Sequence, residues 1–297
     1  MTRHLNYSIL MILIADSGAT KTDWRLMNAD GMLEQVYTAG INPQYLDANQ
    51  IYTIFEDELL PNLQYKNPSI VYYYGAGCSS PDRNLRVEQA LQKAFPDSAV
   101  HVDHDLLAAA RALCGHTPGI ACILGTGSNS CLYDGRNITD NVPSLGFLMG
   151  DEGSGAYLGK MLIRAFLYRE LPDELASSLK KAHNLTKDSI LDAVYYSDMP
   201  STYLATFAKF CHEKRKNPVI HAMIYENFSE FFERHVSKYE GFIDLPVHFV
   251  GSIAYHFSDT LQQVAKKHGV HVGKVLASPS EGLIHYHQEL LATTGEK

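Results

Sequence analysis

Two stretches of this chain follow the same plan, and that repetition limits the folds open to it more than any other feature. In the first, the apolar run "SILMILIAD" (8–16) meets the polar loop "SGATKT". A second apolar strand, an Asp30-Gly31 turn and a third strand follow, up to Gly40. In the second, "GIACILGTGSNSCLYDGRNI" (119–138) gives strand, glycine-rich turn, strand, Asp134-Gly135 and strand again. Asp-Gly between alternating apolar segments is a strong hairpin signal. The interval is far longer than a solenoid repeat, so the pattern predicts two related halves.

The remaining periodicities alternate helix and strand. Residues 46–60 read as a helix with Ile51, Ile54, Phe55 and Leu59 on one face. Strand 69–77, helix 84–95, strand 99–105 and helix 106–115 follow. Residues 155–240 are largely helical, with 225–239 the clearest amphipathic segment. A strand then runs into a helix over 246–254, and strand 272–277 precedes a last helix opening at Pro279. This order predicts an α/β fold. The hairpins make the sheets mixed rather than purely parallel. Neither GxGxxG after the first strand nor GxxxxGK[ST] is present. The expected division is residues 1–117 and 118–278, with a helical insertion at about 155–240 and the C-terminal helix 279–297 packing back on the first domain.

Composition narrows the function classes. The chain has 297 residues, 45% hydrophobic and 20% charged, with a net charge of −8. That is a globular composition. A nucleic-acid partner is not expected, because no basic stripe exists; "HEKRKNP" (212–218) contains Glu213 and reads as the cap of a solvated helix. The five cysteines, Cys78, Cys114, Cys122, Cys131 and Cys211, have no CxxC spacing. They read as reduced thiols of a cytoplasmic protein rather than a disulfide framework or zinc site. The apolar run 9–15 is too short to span a bilayer, so no membrane partner is expected. Met11 could itself be the start, with residues 1–8 a poorly packed extension.

The chemical signals are loops and carboxylates at strand ends. Polar or glycine-rich loops stand at Asp16–Thr22, Gly75–Ser80, Gly125–Asn129 and Gly251–Ser252. Small residues let backbone N–H groups approach an anion closely. Asp16 ends a buried strand, Asp105 lies where a strand becomes a helix, and Asp151 and Glu152 lie in "GFLMGDEGSGAYLG". A buried carboxylate needs donors or a cation. Asp105 also suits an ordinary helix N-cap. In "HVDHD" (101–105) His101 and Asp103 share a strand face while His104 points away, and His104 reads as a packed side chain. "HYHQ" (285–288) places its histidines on different sides of the last helix. Trp24, on the second strand, reads as core.

"IADSGATKTDW", "VDHDLLAAARA", "ILGTGSNS", "GFLMGDEGSGAYLG" and "FVGSIA" occur in this order. Together they resemble the phosphate-1, central-aspartate, phosphate-2, glycine-rich and adenosine motifs of the sugar kinase/Hsp70/actin superfamily. More narrowly they resemble the N-acetylglucosamine kinase branch of the BadF/BadG/BcrA/BcrD ATPase family, over residues 12 to 285. The resemblance implies two RNase H-like domains of mixed sheets with ATP and a small sugar in the interdomain cleft, and Mg2+ as the metal. It implies Asp105 as the base that takes the sugar hydroxyl's proton and Asp16 as the magnesium ligand, through water. It implies Gly18, Thr20, Lys21 and Thr22 on one side of the β- and γ-phosphates, and Gly125, Thr126, Gly127 and Ser128 on the other. Gly251 and Ser252 would lie against the adenosine. Asn42, Asn129 and Asp151 are the implied sugar ligands, with Gly75 to Gly77 lining the pocket. Leu145 departs from the aromatic residue of animal N-acetylglucosamine kinases, which leaves glucosamine and N-acetylmuramic acid open beside N-acetylglucosamine.

Two other readings stand beside this one. The same family includes iron–sulfur ATPase activators of CoA-linked dehydratases and reductases, but no cysteine here sits in a suitable glycine-flanked loop. A non-catalytic sugar or ATP sensor could lose the carboxylate at Asp105, which this chain keeps. The apolar faces of 155–240 either pack on the second sheet or form a homodimer contact.

Overall fold

A computed structural model describes residues 10–18 and 21–294; the expectations for residues 1–8 and for Thr20 lie outside the described residues. The chain divides into two compact units, Met1–Gly115 with Pro279–Lys297, and His116–Ser278.

The first unit is built on strands β1 (Ile12–Ser17), β2 (Lys21–Asn28), β3 (Gly31–Ala39), β4 (Ile70–Gly75) and β5 (Ala99–His104). Its sheet order is β3-β2-β1-β4-β5, antiparallel from β3 to β1 and parallel from β1 to β5. Among the described residues this unit carries the α-helices α1 (Ala48–Ile54), α2 (Pro81–Ala94), α3 (Asp105–Cys114) and α12 (Ser280–Thr294). α1 starts at a capping box of Asp47 and Gln50 and continues into a π-helical turn, Phe55–Leu59. Ile12, Leu13, Ile14 and Ala15 are all buried, as a strand covered on both faces requires. On one face Trp24 packs edge-on against Phe55 at 5.4 Å, with Leu13, Ala15, Val71 and Tyr73 around it. On the other, Tyr74 meets α3 and α12: its hydroxyl accepts from Arg111 Nη1 at 2.6 Å and lies 3.0 Å from His287 Nε2. His287 is buried and His285 exposed, on different sides of α12.

The second unit carries β6 (Gly119–Leu124), β7 (Ser128–Tyr133), β8 (Ile138–Asp140), β9 (Val247–Val250) and β10 (Val272–Leu276). Read from one edge, the order is β8-β7-β6-β9-β10. In each unit the third, second, first, fourth and fifth strands therefore stand side by side in that order, with the first three antiparallel and the rest parallel. The duplicated hairpin read from the sequence is thus one piece of a duplicated sheet.

Between β8 and β9 come α4 (Gly146–Met149), α5 (Gly155–Tyr168), α6 (Asp173–His183), α7 (Lys187–Tyr195), α8 (Pro200–Glu213) and α9 (Pro218–Arg234). The short α10 (Ser252–His256) and α11 (Ser258–Lys267) follow β9. Leu158 and Leu162 of α5, Phe207 of α8 and Phe228, Phe231 and Phe232 of α9 share one buried core with Leu124 and Phe249. The apolar faces of the long helical region therefore pack on the second sheet. All five cysteines are buried. Among the described residues no helix is long and apolar enough to cross a membrane.

Candidate functional site

In the first unit, chemistry gathers at the open end of the first hairpin. Ser17 pairs with Thr22 across it, so Asp16 stands opposite Asp23. Gly18 N–H donates to the Lys21 carbonyl at 3.0 Å and closes the described part of the turn. Thr22 is buried: its hydroxyl lies 2.8 Å from Ser17 Oγ and donates to the Ala39 carbonyl at 3.1 Å. That hydroxyl holds the hairpin to β3 and has no open face for a phosphate. Lys21 is exposed, with Nζ 4.9 Å from the centre of the Tyr37 ring.

Three carboxylates converge here. Asp16 is partly buried, and its pKa rises to about 7 through burial first, then through the charges of Asp105 and Asp23. Lys21 and Arg25 oppose that rise. Asp23 is tied down by Arg25 Nη2 at 3.0 Å, Gln35 Nε2 at 2.9 Å and the Ser280 hydroxyl at 3.0 Å. Asp105 opens α3, and burial raises its pKa against the opposing effects of His104 and nearby backbone N–H groups.

Asp105 is not the N-cap that its position suggested. His104 is, with Nδ1 accepting from the Leu107 N–H at 3.2 Å. The correction has a physical reason: one residue further on, the backbone is already helical, so the Asp105 carboxylate lies outside the cap geometry. It is left for other chemistry. Asn42 and Gly77, 35 positions apart, are brought together. Gly77 has φ +82°, and a Cβ there would strike the Asn42 side chain. Gly75 similarly backs onto the Tyr73 ring.

In the second unit the Gly125–Ser128 turn sits on the start of α5. The Gly125 carbonyl accepts from Gly155 N–H at 2.9 Å and the Thr126 carbonyl from Ala156 N–H at 3.0 Å. Asp151, at φ +64°, braces the turn from behind. Its Oδ1 accepts from Ser128 N–H at 3.4 Å and from the Ser144 hydroxyl at 3.1 Å, and its carboxylate is packed against Gly127. Burial raises the pKa of Asp151, against these donors. The Ser128 hydroxyl is buried and makes no hydrogen bond among the described residues. Asn129 Oδ1 accepts from Ser130 N–H at 2.9 Å and from Asn141 Nδ2 at 3.1 Å. Leu145 is exposed at the start of α4.

Gly251 has φ +119°, and a Cβ there would run into the Leu124 carbonyl, so only glycine lets the end of β9 lie this close to the end of β6. The result is a cavity of about 540 Å3 walled by Gly125, Thr126 and Ser252 together with residues of α8 and α10. Sequence reasoning missed the α8 wall, because helix faces do not announce what they border. It also missed Asn227, fully buried on α9, which accepts from Gly153 N–H at 2.7 Å. Asp23 was findable: a turn that pairs Ser17 with Thr22 forces Asp16 against Asp23.

The chain matches no protein-family model and no curated protein. Solved structures do share its fold. A candidate N-acetylglucosamine kinase from Porphyromonas gingivalis is 43% identical with a TM-score of 0.89, covering 94% of this chain and 99% of that one. A second candidate N-acetylglucosamine kinase, from Chromobacterium violaceum, is 17% identical at a TM-score of 0.74, covering 94% of this chain and 99% of that one. A ROK hexokinase from Thermus thermophilus is 12% identical at a TM-score of 0.52, covering 97% of this chain and 100% of that one. The last two bear on the fold alone. With 43% identity along nearly its whole length, the chain belongs to the N-acetylglucosamine kinase-like branch of the sugar kinase/Hsp70/actin superfamily.

Proposed function

We propose that the protein is an ATP-dependent kinase that transfers the γ-phosphoryl group to a hydroxyl of an amino sugar, N-acetylglucosamine to its 6-phosphate. The observation that carries this reading is Asp105. It is a partly exposed carboxylate at the start of α3, not engaged as a cap, whose pKa is raised by burial and which lies close enough to Asp16 to perturb it. A general base works best when its pKa approaches the operating pH and it lies within hydrogen-bond reach of the hydroxyl. Asp105 takes the hydroxyl proton as the new O–P bond forms and the bond from phosphorus to the ADP oxygen breaks. The rest of the reaction is positioning and charge neutralisation.

The donor sets fit the groups such a reaction needs. Asp16 is a carboxylate held at high pKa by burial and then by the charges of Asp105 and Asp23, a cost that a divalent cation relieves. Magnesium held by one carboxylate keeps several waters, and when bound it supplies charge neutralisation at the phosphates. At the Gly125–Ser128 turn the Gly125 N–H is bonded to the Gly127 carbonyl at 3.0 Å and the Ser128 N–H to Asp151, so the Thr126 and Gly127 N–H groups and the unpartnered Ser128 hydroxyl are the donors proposed for phosphate oxygens. On the first hairpin the Gly18 N–H would have to leave the Lys21 carbonyl, and Lys21 would have to leave Tyr37, to reach an anion. Gly251 and Ser252 border the nucleoside, and Asn42, Gly75, Gly77, Asn129 and Asp151 are the proposed sugar-side residues. Asp151 also braces the phosphate turn, so it links the two functions. The relative from Porphyromonas gingivalis supports N-acetylglucosamine as acceptor.

The test is direct. Purified protein with MgATP is offered N-acetylglucosamine, glucosamine and N-acetylmuramic acid, and products are identified by NMR. Formation of N-acetylglucosamine 6-phosphate is expected. ATP hydrolysis without any sugar phosphate would overturn the reading.

A further inference from the structure

The helical turn α4 (Gly146–Met149) leads directly into Asp151, and none of its residues is buried. Leu145, Leu148 and Met149 stand 56%, 76% and 73% exposed, so apolar packing does not hold this turn in place. Polar ties do. Lys160 of α5 donates from Nζ to the Phe147 carbonyl at 2.8 Å, and the Ser144 hydroxyl donates to Asp151 Oδ1 at 3.1 Å. We propose that Lys160 is a positioning residue of the sugar site: its ammonium fastens α4 to α5 and keeps Asp151 a charged acceptor in its left-handed conformation. The inference rests on the kinase reading above and deepens it on the sugar side.

The geometry supports this role. Leu158 and Leu162 sink α5 into the core, so the helix is a firm platform. Lys160 rises from it half-buried, with Nζ 4.6 Å from the centre of the Tyr157 ring, three positions back on the same face. Tyr157 is fixed in turn, its hydroxyl donating to Glu230 at 3.0 Å. Asp151 needs such support. A non-glycine residue at φ +64° is strained, and such a conformation persists only where its surroundings over-determine it. On the C-terminal side, the Asp151 carbonyl accepts from Ser154 N–H at 3.1 Å. On the N-terminal side the chain runs back through α4, which starts at Gly146 with φ +72°.

Charge explains why the tie is a lysine. Asp151, Glu152 and Glu230 bring three carboxylates to this corner of the unit. Glu230 pairs with Arg234 at 3.0 Å, and Glu152 lies 3.4 Å from Arg234 Nε and 3.5 Å from His235 Nε2. Asp151 makes no ion pair among the described residues. Burial raises its pKa and Glu152 adds to that rise, while Lys160 is the cation that opposes them. Burial also works against the charge on Lys160; Glu152, Asp151 and Glu230 favour that charge, and Arg164 opposes it. A neutral donor at this position would hold α4 yet leave Asp151 without its cation. A hydrogen bond from a sugar hydroxyl is stronger to an ionised carboxylate than to a protonated one.

The test separates the tie from the charge. Calorimetry measures binding of N-acetylglucosamine, and separately of a non-hydrolysable ATP analogue, from about pH 5.5 to 8. The proteins are wild type, Lys160→Met, Lys160→Gln and Lys160→Arg, with thermal melts to confirm folding. Lys160→Met is expected to weaken the sugar about tenfold at neutral pH, the scale of one charge-assisted hydrogen bond, and the analogue about threefold or less. Its sugar affinity should also begin to fall at a higher pH than in wild type, because Asp151 loses the cation that opposes its protonation. Lys160→Gln keeps a donor for the Phe147 carbonyl, so affinity at neutral pH partly returns while the acid limb stays displaced. Lys160→Arg restores both. In steady state the loss appears in KM for the sugar rather than in kcat. Sugar affinity within about twofold of wild type in Lys160→Met at every pH overturns the inference and leaves the kinase reading intact. So does an equal loss for sugar and analogue that Lys160→Arg fails to restore, which is a general loosening of the unit. If Lys160→Met does not fold, an undisplaced acid limb in Lys160→Gln overturns the inference equally. Wild-type protein that binds no amino sugar removes the kinase reading, and the inference with it.

Discussion

Asp16 and Asp23 face each other across the first hairpin, two carboxylates in register on neighbouring strands. Like charges directly opposite destabilise a sheet. Here one of the pair is neutralised by design of its surroundings: Asp23 has Arg25, Gln35 and Ser280, and Asp16 has none of these donors. Asp16 is raised to a pKa of about 7 first by its own burial, then by the charges of Asp105 and Asp23.

That arrangement predicts a stability–function conflict at Asp16. Its folded pKa, about 7, lies above the ordinary 3.8. The folded state thus binds more protons, and stability falls as pH rises from about 4 through 7. Asp16→Asn removes the penalty. In metal-free buffer the variant is expected to be more stable than wild type by about 2–4 kcal/mol at pH 8. The difference should vanish near pH 4, and phosphoryl transfer should be lost. Thermal melts at both pH values check this; equal stability at pH 8 would show that Asp16 is not strained.

His287 makes the opposite prediction at acid pH. Its ring is buried against Tyr72 at 4.2 Å, and burial, then Arg111 and His101, lower its pKa to about 3. The unfolded chain takes up that proton first, so stability is lost as pH falls from about 6.5 toward 3. His287→Phe keeps a ring on Tyr72 and removes the titrating group. Denaturant melts at pH 7 and pH 4.5 should show a smaller acid loss for the variant, and an unchanged loss would place the acid sensitivity elsewhere.

Asn227 is expected to matter although it touches no reactant. Its side chain accepts from Gly153 N–H at 2.7 Å and its Nδ2 donates to the Ser154 carbonyl at 3.3 Å, just after Asp151. Asn227→Ala leaves both backbone groups buried and unpaired, at about 1–3 kcal/mol each. Stability should drop, and KM for the sugar should rise more than KM for ATP, because Asp151 is displaced. Melts and steady-state kinetics on the same preparation read both effects.

Much of this was legible in the chain. The hairpin at Asp16 and its copy at Gly125 were readable because a two-residue period and an Asp-Gly turn are local signals. So was the burial of Trp24, which follows from the strand period. The partners of these residues were not. Ser280 reaches Asp23 from 257 positions away, and Asn227 reaches Gly153 from 74 positions away. No periodicity encodes such pairs, since they depend on how whole elements pack. The cap at α3 was misplaced by one residue, because His104 and Asp105 are both polar and only backbone geometry separates the cap from the first helical position.

Asp105→Asn gives the sharpest measurement. Single-turnover transfer from radiolabelled MgATP to N-acetylglucosamine is followed in wild type and variant, with binding of an ATP analogue measured alongside. The substitution should slow transfer about 10²–10⁴-fold, the usual contribution of a positioned base, while analogue affinity stays within about twofold. Undiminished transfer in Asp105→Asn would contradict the assignment of Asp105 as the base, and with it the central claim.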